Sequence, residues 1–353
     1  MNPSGTPGTD EVGEQRCAEF LLEHLRGLGA EAELREVLPG RPNVVARFPG
    51  DRPGKPRLLF APHTDTVSVA GMTIDPFGGE LRDGKLWGRG ASDTKGSMAS
   101  MLWALREKRD VLATLSHEIW FAGLCGEEAG QQGAKALAAE EKFDFVIAGE
   151  PTGLDIVHLH KGCTHLLLRA HGRAVHAARL ELGENAIEKM MSALEWVRAE
   201  LRPALAGCTH PVLGRSTVSI GTIEGGSKIN IVPDLCEAAV DIRTVPGVES
   251  AGVIAGIAAQ LQQRVPGLEV TLVQAPPLDT PRAHPVIGRL ESFGARCVGA
   301  PWFCDAAVFA RHGVPAVAMG PGSIDQAHTK DEWIAVAELE RGAEFFGRFL
   351  DGL

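Results

Sequence analysis

The chain has 353 residues, 44% hydrophobic and 23% charged, with 45 acidic against 35 basic side chains and a net charge of −10. That length exceeds what a single hydrophobic core usually serves, so two domains are expected, in an ordinary soluble globular composition. The acidic balance argues against a general nucleic-acid or anionic-membrane binder, since such binding rests on Lys and Arg neutralising phosphates.

In chain order, the first residues, MNPSGTPGTDEVGEQR, lack the basic start and apolar core of a signal peptide. Residues 11–28 repeat apolar side chains at helical spacing, with acids early and Arg26 late, which predicts an amphipathic helix. Short apolar runs then predict strands at Ala32–Glu36, Asn43–Phe48 and Arg57–Ala61. A helix is expected over 92–108, a strand at His117–Gly123, a helix from Gln132 and a strand at Phe143–Gly149. Strands alternating with helices, and apolar along their length, imply a largely parallel sheet covered on both faces.

The pattern changes near residue 165. Leu166–Ala170, Thr217–Thr222, Cys236–Arg243 and Glu269–Val273 read as strands, with helices at Asn185–Glu200 and Ser250–Arg264. A candidate hairpin runs through GTIEGGSKINIVP. A smaller α+β unit over 164–277 is therefore expected, inserted into an α/β domain formed by 1–163 and 278–353, where Ala316–Met319 is a further buried strand. No apolar stretch approaches the roughly 20 residues that span a bilayer. The seven cysteines are scattered without a CxxC pair, so neither a disulfide framework nor a thiolate zinc finger is suggested, and a reducing cytoplasm is the expected location.

The informative polar residues stand just past the apolar runs. RLLFAPHTDT places His63 and Asp65 after one strand, EIWFAGLCGEEAG places Glu127 and Glu128 after another, and FDFVIAGEPT places Glu150 after a third. PAVAMGPGSIDQAH leads from a fourth strand to His328, and GRGASDTKG puts Asp93 in a glycine-rich turn before a helix. Ligand sites in α/β sheets collect beyond the carboxyl ends of the strands. Imidazole and carboxylate suit divalent metals, and one shared carboxylate can hold two ions a few ångströms apart. One of Glu127 and Glu128 can then bind metal while the other moves a proton, and Asp65 can orient His63. Each piece alone has a bland explanation: a helix cap for Asp93, a solvated helix start for Glu127 and Glu128. Their recurrence at strand ends is what favours a site. GRGASDTKG lacks the GxxxxGK[ST] spacing of a phosphate loop.

At these residues the chain resembles the M20 family of metallopeptidases, which includes acetylornithine deacetylase, succinyl-diaminopimelate desuccinylase, aminoacylase and glutamate carboxypeptidase. HTDTV, DPFGGELRDGKLWGRGASDTKG, GEEAGQQGA, GEPT and AHTKDEW occur in family order along nearly the whole chain. The resemblance implies a zinc-exopeptidase-like three-layer catalytic domain and two Zn2+ per chain, with Co2+ or Mn2+ able to substitute. His63 and Glu150 would bind one ion and Glu128 and His328 the other. Asp93 would bridge them through a segment with a cis peptide to Thr94. Glu127 would be the general base and acid, and Asp65 the partner of His63.

The resemblance further implies that the inserted unit is a lid and homodimerisation domain. His176, in GRAVHAARLELGENAI, would stabilise the oxyanion in the partner subunit's site, although relatives usually follow this His with Ser and Pro where this chain has Ala177 and Ala178. Asn230 and Arg243, in KINIVPDLCEAAVDIRTVPG, would bind substrate, with Arg243 gripping an α-carboxylate through its two-pronged guanidinium. Equally, Arg243 could pair with Asp241 on its own strand. His158 and His160 carry no ligand motif, and Cys304 stands where many relatives have Ser or Thr, which reads as a pocket or packing residue. GEPTGLDIVHLHKG and GPGSIDQAHTKDEW favour deacylation of a small N-acylated amino acid such as N-acetylornithine. Desuccinylation of a diaminopimelate precursor, cleavage of a short peptide, or a ligand-binding relative without catalysis are the alternatives.

Overall fold

A strand that is apolar along its whole length must be covered on both faces, because successive side chains point to opposite sides. The computed structural model, which describes residues 13–248 and 252–353, sets three strands side by side that are apolar throughout or after a charged first residue. Glu118–Gly123, Arg57–Pro62 and Phe145–Gly149 are adjacent and parallel, and Ala316–Ala318 extends the parallel set beyond Phe145–Gly149. On one face Leu58, Phe60, Ile119, Phe121, Phe145 and Ile147 join the main core with side chains of helices Gln15–Gly27, Lys95–Lys108 and Val336–Asp351. On the other, Leu59, Trp120 and Val146 are buried too, and both Trp120 and Phe309 of helix Ala306–Arg311 meet Phe143 edge-on.

Antiparallel strands flank this centre. Glu31–Leu38 and Arg41–Phe48 are joined through Pro39-Gly40, far too short for a parallel crossover, and Arg41–Phe48 pairs antiparallel with Glu118–Gly123. Beyond Ala316–Ala318, strand Ile156–His160 runs antiparallel and pairs with Cys297–Ala300, with Leu278–Asp279 at the edge. The class is α/β as expected, but the sheet is mixed, with the parallel arrangement confined to its middle. A three-stranded ribbon of Glu80–Arg82, Lys85–Trp87 and Trp333–Ala335 turns at Asp83 and Gly84, both with positive φ, the conformation that tight two-residue hairpins favour.

The chain divides into two compact units. Met1–Leu159, Asp279–Gly299 and Cys304–Leu353 form one, and His160–Leu278 with Ala300–Phe303 the other. The second contains a four-stranded antiparallel sheet in the order Thr217–Gly225, Leu235–Thr244, Gly162–His171, Glu269–Ala275. Gly225 pairs with Cys236, so the expected hairpin forms. Asn185 caps helix Ala186–Trp196 by accepting from the Ile187 and Glu188 N–H groups. That helix loosens into a wide turn at Val197–Leu201 instead of running regularly to Glu200. The helix expected over 92–108 starts only at Lys95, and Asp93–Thr94 is a cis peptide. The beginnings of the helices predicted from residues 11 and 250 lie outside the described residues, which show Gln15–Gly27 and Ile257–Arg264. No helix among the described residues is long and apolar enough to cross a membrane.

His160 is fully buried, its Nδ1 faces the Lys161 carbonyl at 2.9 Å, and burial pushes its pKa down to about 4. The folded state therefore holds it neutral, while the unfolded chain protonates it near 6.5. Between those values the unfolded state binds more protons, so stability falls as pH drops through the window. Wild type is expected to lose about 2–3 kcal/mol more than His160→Leu between pH 6.5 and 4.5, since each pKa unit is worth about 1.4 kcal/mol. Urea titrations of the two proteins at both pH values check this.

Candidate active site

Strand order explains how residues far apart in sequence meet. Adjacent parallel strands lie roughly 5 Å apart, so their carboxyl ends deliver a row of side chains to one place. Glu118–Gly123 leads to Glu127 and Glu128, Arg57–Pro62 to His63 and Asp65, and Phe145–Gly149 to Glu150. Ala316–Ala318, next in the row, leads through a longer loop to His328, which adopts a left-handed φ of 60°. Asp93 enters from the loop before helix Lys95–Lys108.

Two groups of donors result. The ligand atoms of His63, Asp93 and Glu150 all lie within 4.8 Å of one another, as do those of Asp93, Glu128 and His328. Asp93 belongs to both. Its Oδ1 is 3.0 Å from His63 Nε2, and its Oδ2 is 3.5 Å from His328 Nε2. His328 Nε2 is also 3.0 Å from Glu128 Oε2. Two imidazoles and three carboxylates, one of them central, are ordinary zinc donors, and three protein donors per group leave positions for water and substrate. The donor set fits a pair of divalent cations.

Asp65 does more than face His63. Its Oδ1 is 3.4 Å from His63 Nδ1, and its two carboxylate oxygens accept the N–H groups of Glu127 and Glu128 at 3.1 Å each. One buried carboxylate thus sets the imidazole and the acidic turn together. Behind the turn, Glu14 accepts both prongs of Arg41, at 2.7 and 2.6 Å, and the Gly126 N–H at 3.1 Å. Gly126 takes a φ of 72°, a conformation glycine adopts without strain.

The field is strongly negative. Burial raises Glu127 well above the usual carboxylate range, with His63 opposing and Asp305, Glu150 and Glu128 adding to the rise. Glu150 is raised in the same way, by burial first and then by the charge of Asp93. Burial works against a charged His63, but hydrogen bonds and charge from Asp65 and Asp93 outweigh it and hold the imidazole well above its ordinary value. So many acids in one buried place call for cations, whose charge reverses this local logic. Cys304 is buried, and burial together with the charge of Glu150 raises its thiol well above the usual range, which keeps it neutral. Its neighbour Asp305, fully buried and pushed up by burial to about 7, faces the same acids and was not singled out from sequence.

A second residue escaped sequence reasoning. Glu332, in AHTKDEW, is buried and accepts from Arg89 Nη1 at 2.9 Å and from the N–H groups of Gly90, Ser92 and Asp93 at 2.9, 2.8 and 2.8 Å. It holds the GRGASD loop in shape and with it Asp93. The only sequence signal was an acid four residues after His328.

The remaining predicted residues lie in the second unit. His176 is exposed and caps a short turn, its Nδ1 accepting from the Ala178 N–H at 3.2 Å. Its segment bridges to Ile231, and the Ala177 N–H donates to the Asn230 carbonyl at 3.0 Å, so His176 and Asn230 occupy neighbouring strands of chain. Arg243 forks onto Asp241, with Nε and Nη2 at 2.9 and 3.0 Å from its carboxylate oxygens, and lies 5.6 Å from the Phe303 ring centre. His158 Nδ1 faces the Thr280 carbonyl at 2.8 Å, and among the described residues neither it nor His160 belongs to a donor group.

Residues 59–352 match the model of peptidase family M20/M25/M40. Among curated proteins, an acetylornithine deacetylase of Proteus mirabilis is 30% identical over 99% of this chain and 92% of its own length. One from Erwinia tasmaniensis is 33% identical over 96% and 90%. Among solved structures, an M20 family metallo-carboxypeptidase from Sulfolobus solfataricus superposes with a TM-score of 0.79 at 21% identity, covering 96% of this chain and 94% of the other. A tripeptidase from Staphylococcus aureus gives 0.76 at 20% identity, over 96% and 93%. These two share the fold. The strand-end donors, the matched family model and the full-length relatives agree, and the chain belongs to peptidase family M20/M25/M40.

Proposed function

We propose that the protein hydrolyses the amide bond of a small N-acylated amino acid, with N-acetylornithine the favoured substrate, using two divalent cations per chain. The observation that carries this is Asp93, whose two oxygens face the histidines of two donor groups while Glu127 stands beside both and belongs to neither. His63 and Glu150 would hold one cation, Glu128 and His328 the other, and Asp93 both. Zinc is the proposed metal, with cobalt or manganese able to replace it. Bound there, such ions polarise a carbonyl and make water acidic enough to attack at neutral pH.

The chain's own part is proton transfer and placement. Glu127 takes a proton from the attacking water, the water oxygen bonds to the carbonyl carbon, and the C–N bond breaks as Glu127 returns that proton to the leaving amine. Asp65 holds Glu127 and Glu128 by their N–H groups while it orients His63. His176 would donate to the developing oxyanion in the partner subunit's site, with Asn230 beside it. Arg243 would grip the substrate carboxylate by exchanging its fork from Asp241. In this reading 164–277 serves as lid and homodimer surface around a catalytic domain of 1–163 and 278–353, and the enzyme works in the cytoplasm.

The names of relatives at 30–33% identity favour deacetylation over desuccinylation or peptide cleavage. Chelator-stripped protein is expected to leave N-acetyl-L-ornithine intact and to regain turnover on adding zinc or cobalt. Two ions bound without turnover would move the substrate to a succinylated amino acid or a short peptide. No bound metal would remove the proposal.

A further inference from the structure

A third group of donors stands in the second unit. Cys163, His165 and Asp241 bring one ligand atom each within 4.8 Å of one another. Cys163 and His165 are two apart on strand Gly162–His171 and so share a face of the sheet. Asp241, on strand Leu235–Thr244, pairs directly with His165, and Arg243 pairs with Cys163. These strands are the central pair of their sheet, which holds the three side chains on rigid backbone.

Two of the three spacings come close to those of a coordination polyhedron. In a tetrahedral zinc site with ordinary bond lengths, nitrogen and oxygen ligands lie roughly 3.3 Å apart and sulfur and oxygen roughly 3.6 Å. Here His165 Nε2 is 3.3 Å from Asp241 Oδ2, and Cys163 Sγ is 3.9 Å from the same oxygen. Access exists, since the side chains of His165 and Asp241 are 51% and 33% exposed. Arg243 forks the Asp241 carboxylate, but each carboxylate oxygen has two lone pairs, so Oδ2 can accept the guanidinium and still offer a ligand position. Burial raises the Cys163 thiol to about 11, opposed by the charge of Arg243, so the thiol keeps its proton until a cation displaces it.

We propose that Cys163, His165 and Asp241 form a separate divalent-cation site of mixed sulfur, nitrogen and oxygen ligands, suited to zinc or cobalt, with water completing the tetrahedron. Thiolate and imidazole together select borderline-soft ions over magnesium or calcium. The strand-end centre has imidazole and carboxylate donors only, so the two sites differ in ligand chemistry. The proposal stands whether or not the strand-end centre hydrolyses amides.

That difference supplies the test. A thiolate bound to cobalt absorbs strongly in the near ultraviolet, and a site of nitrogen and oxygen ligands does not. Full-length protein titrated with cobalt chloride is expected to develop this band together with one cobalt beyond those of the strand-end centre. Cys163→Ser is expected to abolish the band. His165→Ala, at a half-exposed position where folding is not at risk, should weaken cobalt binding at this site at least tenfold while deacylase activity stays unchanged. Cys304→Ser should leave the band intact. A wild-type protein without the band, a band that survives Cys163→Ser, or one lost on Cys304→Ser would overturn the assignment.

Discussion

Glu127→Gln is expected to lower kcat by about 10²- to 10⁴-fold, the usual worth of a placed proton-transfer group, while bound metal stays unchanged. The substitution keeps the shape of the side chain and its backbone link to Asp65, since the Glu127 N–H donates to Asp65 Oδ1 at 3.1 Å. It removes only the ability to accept and return a proton. Glu127 takes part in neither donor group, so metal content measured on the purified variant should match wild type. Burial lifts this carboxyl well above the ordinary range, so it has more affinity for a proton than a surface glutamate would. Turnover near wild type would take the proton-transfer role away from Glu127. Lost metal would instead place it among the ligands.

Glu332→Ala is expected to destabilise the protein by about 3–5 kcal/mol, the cost of leaving one partner of a buried ion pair uncompensated. The pair here is Arg89 with Glu332, whose side chains are 4% and 1% exposed at a separation of 2.9 Å. The same deletion strips the N–H groups of Gly90, Ser92 and Asp93 of their acceptor. Because that loop carries Asp93, weaker binding at both donor groups should accompany the lost stability. Denaturant titration with calorimetric metal binding separates the effects. Glu332→Gln retains an acceptor for some of these groups but turns a donor toward others, and should fall between wild type and Glu332→Ala. A variant as stable as wild type, with unchanged metal affinity, would show that the loop holds its shape without Glu332.

The centre was legible in the sequence to the extent that its residues stand where apolar runs stop. His63, Glu127, Glu128 and Glu150 each follow a strand that is buried from its second residue on or throughout, so the first polar side chains beyond it fall at the sheet's edge. Asp93 and His328 were legible through glycine-rich loops and family motifs, and both enter the donor groups. Glu332 was not, although its motif was in view. Its partners at Gly90, Ser92 and Asp93 lie about 240 positions away, and no local pattern records such a pairing. The Cys163–His165–Asp241 group was hidden for the same reason: strand register brings Asp241 opposite His165, and register is not written in either strand alone.

The antiparallel flanks of the main sheet show the same division. Glu31–Leu38 and Arg41–Phe48 were readable as strands, and their direction follows from the two-residue turn between them. That Arg41–Phe48 then lies against Glu118–Gly123, with Arg57–Pro62 on the far side, depends on which apolar faces find each other in the folded chain. Arg243 is instructive too: the sequence offered it Asp241, two residues away on its own strand, and that is the carboxylate it forks onto.

By itself, then, the sequence determined the chemistry available: strands apolar over most of their length, with histidines and acids at their ends. Those features follow from side-chain periodicity and from the cost of burying polar groups, which act over a few residues at a time. Tertiary structure decided who meets whom. It set the strand order that lines up His63, Glu127, Glu128 and Glu150, turned the two oxygens of Asp93 toward different histidines, and placed Glu332 beneath the loop that carries Asp93. Such meetings depend on packing between distant segments, where only the assembled core selects one neighbour over another.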